Sequence, residues 1–211
     1  MLSCFVILKT EINRGVKIML SVEEQLKNCI GLADEAKRMG CDRVSMIWSE
    51  DVVFDPRVTL KCRQNSCGHY GKNFMCPPFV PTGQEFRQSA LKYKVALLLQ
   101  QEREIPPESK QADIDKEFKT LVLSMRRILV SLEKKAFEQG FIFCSGLGGG
   151  ECKLCEICGA RSGAESCSRP NEARPSMEAV GIDVAETCRK AGFPALFQKG
   201  TLSVTGLLFI T

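Results

Sequence analysis

Twelve of the 211 residues are cysteines, and seven of them fall into two ordered sets whose spacing suits metal chemistry. The denser set is Cys152, Cys155, Cys158 and Cys167, within GLGGGECKLCEICGARSGAESC. Two-residue gaps let a short loop aim its first three thiols at one point. Cys167 follows after eight intervening residues and supplies a fourth, with Pro170 just behind it. Four thiolates so arranged form a complete ligand set for a 4Fe–4S cluster. The ferredoxin run places its fourth cysteine closer and directly before proline, so this is a related solution and not a ferredoxin.

The other set is Cys62, Cys67 and Cys76, followed by Pro77-Pro78. Three thiols are one short of a closed four-ligand site. His69, Cys144, a distant cysteine or an external molecule are the candidates for the fourth position. An open position on iron or zinc is where a substrate binds, so this set admits a metalloenzyme reading. Zinc competes with iron–sulfur at both sets, but structural zinc sites usually present cysteines as two separated pairs, which the run 152–158 is not. The remaining thiols Cys4, Cys29, Cys41 and Cys188 read as small buried hydrophobes. Gly146, Gly148, Gly149 and Gly150 lack the Lys-Ser/Thr of a phosphate loop and are expected to bring backbone N–H groups close to cluster sulfurs. Lys153, Arg161, Arg169 and Arg174 flank the cysteines and are candidates for offsetting thiolate charge.

Composition narrows the classes further. Hydrophobic residues are 44% and charged residues 26% of the chain, an ordinary globular balance. The net charge of +4 is not concentrated in any block, so nothing supports nucleic-acid binding. No run approaches the roughly 18 apolar residues of a membrane span. The opening residues carry only a brief apolar run without leading positive charge and are not read as a secretory signal. Abundant cysteine is therefore assigned to metal in a reducing, cytoplasmic setting and not to disulfides. One histidine in the chain argues against a His-rich zinc or copper site.

The elements that must carry these thiols alternate. A helix is expected from Ser21, capped by an S-x-x-E pattern with Glu24, with Val22, Leu26, Ile30 and Ala33 inward and Gly40 at its end. Val44–Trp48 reads as a strand, residues 52–62 as two extended pieces bent at Pro56, and 62–81 as a loop. A helix capped by Thr82 and Glu85 precedes a strand at 94–100. The longest helix spans about 113–139 on the stripe Ile114, Phe118, Leu121, Met125, Ile128, Leu132 and Ala136. Phe141–Cys144 is expected as a strand entering the second thiol loop. A helix begun by Asp183 and a strand at 202–210 close the chain. This alternation predicts an α/β fold with a mixed, partly parallel sheet flanked by helices, with both thiol loops following strands and opening at one sheet edge. Residues 1–18 are set apart as an extension, Met19 being an alternative start, and residues 19–211 as one domain.

With both loops in view, the chain resembles the predicted metal-binding proteins grouped as domain of unknown function 2284, of bacteria and archaea and often anaerobes. The resemblance rests on Cys62, Cys67, Tyr70-Gly71, Asn73, Cys76-Pro77-Pro78 and Pro81. It continues through Gly148, Cys152, Leu154-Cys155, Cys158, Cys167, Arg174 to Ala179 and Gly181 to Val184, covering roughly residues 44–192. It implies metal binding without fixing a reaction. Members often carry a cysteine where this chain has Val180, so a ligand role there is absent. The expectation is an iron–sulfur protein of the anaerobic cytosol, holding a 4Fe–4S cluster and a second metal centre and serving a redox partner protein. A zinc-stabilised interaction module and a metalloenzyme open at the first set are the alternatives.

Overall fold

The computed structural model describes residues 22–194 and 198–210. Among them are five α-helices and one four-stranded sheet. The strands are β1 (Arg43–Trp48), β2 (Val95–Glu104), β3 (Ser145–Leu147) and β4 (Thr201–Ile210), in the order β1-β2-β4-β3. Every strand pairing is antiparallel, which corrects the partly parallel expectation. Alternation of helix and strand suggests crossovers, and the helix at 111–138 does make one, from the Glu104 end of β2 to β3 at the opposite end, but β4 lies between those two strands. From β1 to β2 the chain returns to the sheet end that it left. It departs β1 at Trp48 and enters β2 at Val95, and these two residues are register partners. Residues 49–94 are thus one long excursion between neighbouring antiparallel strands, and they carry the first thiol set.

Both faces of the sheet are covered. Leu97, Leu99, Leu208 and Ile210 pack with helices α1 (Val22–Arg38) and α4 (Gln111–Glu138). The alternate residues Ala96, Leu98, Leu207 and Phe209 pack with Val52, Ala90, Met177, Val180, Ile182 and Cys188 on the other face. This double burial explains why β2 begins with the unbroken apolar run VALLL, where a one-sided sheet would alternate. The stripe on α4 is as expected, with Leu121, Met125, Ile128, Leu132 and Ala136 buried. Each large side chain removed from water in this way contributes roughly 1.5–3 kcal/mol. On α1 the inward face is Cys29, Leu32 and Ala36, whereas Ile30, expected inside, is 49% exposed. Cys29, Cys41 and Cys188 are buried as small hydrophobes. Ser21, Met19, Cys4 and the extension 1–18 lie outside the described residues.

Three local expectations need correction. Val52 and Asp55 are extended as expected and Phe54 bridges Ile182, but the piece after Pro56 is not extended: helix α2 (Pro56–Gln64) starts there, with the Asp55 carboxylate accepting from Arg57 N at 2.8 Å and Pro56 in the first turn. Proline suits that position because its missing N–H would have no helical partner anyway. Cys62 therefore stands in the last turn of a helix and not in a loop, and the first thiol set does not follow a strand. The strand expected at 141–144 forms instead at Ser145–Leu147. Helix α3 (Gly83–Ala90) has the expected Thr82–Glu85 capping box, and the Asp183 carboxylate caps α5 (Val184–Lys190) by accepting from Glu186 N at 3.0 Å. No helix among the described residues is long and apolar enough to cross a membrane.

Candidate metal centre

The first thiol set is built from α2 outward. Asn65 ends the helix in the left-handed region at φ 56°, and its side-chain oxygen accepts from Tyr70 N at 3.0 Å. Asn73, only 3% exposed, accepts from Met75 N and donates to the carbonyl of Cys152 at 3.1 Å. That second bond ties the two thiol loops together across 79 residues of sequence. Cys62, Cys67 and Cys76 line one cavity of about 170 Å³ with His69, Tyr70, Glu151, Ser176 and Glu178. A liquid water occupies about 30 Å³, so the space exceeds that of a single ion. Burial pushes the Cys62 thiol up and the Cys76 thiol up to about 12, with the neighbouring thiols adding to both shifts.

The second set begins just past β3. The glycines before it do something other than expected. A Cβ on Gly149 would meet the carbonyl oxygen of Thr205 at 2.8 Å, and one on Gly146 would meet Glu133 Oε1 at 2.8 Å. The glycines let the chain press against β4 and α4 before it turns into the thiol loop. Gly150, at φ 65°, packs on Phe118. Glu133 on α4 secures this stretch, accepting from Gly146 N at 2.6 Å and from the Arg174 guanidinium at 2.9 Å.

Beyond it the loop is irregular and half-exposed. Burial raises the Cys152 thiol, and the charges of Cys167 and Cys155 add to the shift. Cys158 precedes a single 3-10 turn, Gly159–Arg161. Arg169 N donates to Cys167 Sγ at 3.4 Å, and its guanidinium donates to the carbonyl of Leu154 at 2.9 Å. Among the flanking cations, Arg174 pairs with Glu133, Arg169 with Glu172 and Lys153 with Glu151.

Arg126 is the residue that sequence reading missed. It lies on α4, is 1% exposed, and donates to the carbonyl of Gly150 at 3.1 Å. Burial draws its guanidinium below the usual range, opposed by Cys152, Glu151, Cys76 and Glu178 where these are ionised. Its Nε is buried without a hydrogen-bond partner, and among the described residues no carboxylate lies within ion-pair distance of it. The available signal was an arginine inside the apolar stripe, between Met125 and Ile128, where a solvated cation does not belong.

Cys144 does not line the cavity: its thiol donates to the carbonyl of Glu133 at 3.3 Å and packs beside the core. His69 does line it, with Nε2 3.5 Å from Glu151 Oε1. Val180 is fully buried in the core below. Among the described residues, no three His, Cys, Asp or Glu side chains are gathered closely enough to hold an ion. The donor chemistry of two soft-thiol sets nevertheless fits a thiophilic metal group.

Comparison with known families decides the broader question. The family model for a predicted metal-binding protein, DUF2284, matches residues 45–210. The chain belongs to this family of predicted metal-binding proteins. The match spans both thiol sets, the Asn73 tether, Arg126 and Glu178, so the whole site lies inside the family domain. No curated protein and no solved structure matched the chain.

Proposed function

We propose that this metal-binding protein is an iron–sulfur protein of the anaerobic cytoplasm that serves electron transfer with a redox partner protein. Cys152, Cys155, Cys158 and Cys167 are the ligands of a 4Fe–4S cluster, and Cys62, Cys67 and Cys76 are ligands of a second metal centre. A bound cluster of this type takes up and releases single electrons. The observation that carries the reading is Arg126, a buried cation without a carboxylate partner that donates to the carbonyl of Gly150 at the entry to the second thiol loop. A desolvated guanidinium is costly unless negative charge is brought to it, and thiolate-ligated clusters bring such charge.

The chain's own groups have defined parts in this reading. Arg126 offsets charge on both sets. The Arg169 N–H on Cys167 stabilises the sulfur's electron-rich state, which raises a cluster's potential. Asn73 holds the two loops at a constant separation. The half-open cavity at the first set favours a second reading beside the first, in which that centre also binds a small molecule.

Anaerobic purification tests the proposal. The expected protein is brown, contains iron and acid-labile sulfide, and has broad visible absorbance that bleaches on reduction. A colourless protein carrying stoichiometric zinc would overturn it in favour of a zinc-stabilised interaction module.

A further inference from the structure

The first set supplies three thiols, and a four-ligand centre needs one donor more. The oxygen and nitrogen side chains around its cavity are not equivalent. His69 faces Glu151, and Glu151 is engaged by Lys153. Ser176 accepts from Ala179 N at 3.2 Å and bonds the Glu178 carboxyl. Glu178 differs, because its Oε2 is buried and has no hydrogen-bond partner. An acid so placed is expensive to desolvate, and an unmet buried oxygen calls for a reason.

The fold holds this carboxyl beside the thiols. Glu178 opens a 3-10 turn, Glu178–Val180, that ends at Gly181 with φ 84°. The turn packs on α2, the helix that carries Cys62: a Cβ on Gly181 would meet Thr59 Cγ2 at 3.5 Å and the backbone of Gly83 at 3.0 Å. Two rigid pieces, α2 and the turn, therefore bring Cys62 and Glu178 to the same cavity wall. Neighbouring Ala179 and Val180 are 4% and 0% exposed, so the turn cannot swing away without opening the core.

We propose that Glu178 supplies the oxygen ligand that completes the Cys62, Cys67 and Cys76 centre. This rests on the metal reading of the first set given above and holds for iron or zinc alike. A carboxylate is the hardest donor of the four, so its position is the one at which an external ligand exchanges. On binding, its Oε2 gains the partner that it lacks, and the centre keeps three fixed thiolates.

The experiment uses the full chain carrying Cys155→Ser, which removes the second centre and leaves the first to be read alone. Metal per chain, visible or paramagnetic spectrum, and the shift on adding cyanide are measured. Glu178→Gln is expected to weaken metal retention by at least about tenfold. Glu178→Cys is expected to keep the metal, change the spectrum toward four-thiolate ligation and abolish the cyanide shift. Circular dichroism of each metal-free variant separates ligand loss from misfolding. Unchanged metal and spectrum in both Glu178 variants overturn the ligand assignment, and a loss in His69→Ala alone assigns the position to His69. If Cys155→Ser protein holds no metal that depends on Cys67, the metal reading of the first set fails, and this inference fails with it.

Discussion

The two thiol sets differ in how they are held. The first stands on a helix end and a short asparagine-organised loop, and its three thiols, Cys67 exposed among them, line a half-open cavity with Glu178. The second hangs from a glycine stretch pressed against β4 and then runs through irregular, half-exposed chain. The first has fewer ligands and takes one of them, Cys62, from a helix end, while the second has a full set in irregular chain that closes through hydrogen bonds such as Arg169 N to Cys167. A complete set on an adaptable loop suits a coordinatively saturated relay. An incomplete set at a half-open cavity suits a centre with an exchangeable position.

Removing single thiols tests the contrast most severely. Cys67→Ser is expected to abolish the first centre and spare the second, and Cys155→Ser the reverse, as read from metal content and spectra of anaerobic protein. Loss of all metal in both variants would mean that the loops share one site.

Arg126→Met comes next, because it strikes the feature the two sets share. The carbonyl of Gly150 loses its donor and both sets lose a buried cation. The expected cost is about 1–3 kcal/mol in unfolding stability for the unmet buried group. Metal retention should fall at both centres, which distinguishes the change from simple loss of packing at one of them.

Gly149→Ala acts on the second set alone. Its new Cβ would meet the Thr205 carbonyl oxygen at 2.8 Å, a backbone atom that cannot rotate away. Overpacking of this kind costs about 1–3 kcal/mol. Chemical denaturation should show that loss, with metal at the first centre retained.

The smallest effect separates ligand thiols from core thiols. Burial raises Cys29 and Cys188 from 9.0 to about 11 and Cys41 to about 12. These thiols are neutral in both folded and unfolded chains below pH 9, so their contribution is fully present there. Above that the unfolded chain ionises first, and stability is lost as pH rises toward 11 and 12. Denaturation midpoints of the metal-free protein should fall across this window, and Cys41→Ala should flatten the fall.

Much of the molecule was legible because it is local. Thr82 with Glu85, the Asp183 cap and the long stripe on α4 depend on residues three or four apart, and the structure has all three. The start of α2 is equally local, since Asp before Pro is a helix-start pair, but Pro56 also fits a bend between extended pieces. The inward face of α1 was misjudged because Ile30 obeys helical spacing as well as Leu32 does, and only the position of the sheet chooses between them.

The residues alone determined the two thiol sets, their order and their soft-donor chemistry, because ligand type and spacing are properties of the chain. They also determined membership of a metal-binding family, since the motifs are linear. Tertiary structure decided the antiparallel order β1-β2-β4-β3, because pairing partners such as Val95 and Ile210 lie more than a hundred residues apart and no local pattern encodes their direction. It also decided that Arg126 is buried against the carbonyl of Gly150 and that Glu178 lines the same cavity as Cys62. Burial and unmet hydrogen bonds arise only when distant segments close over a side chain.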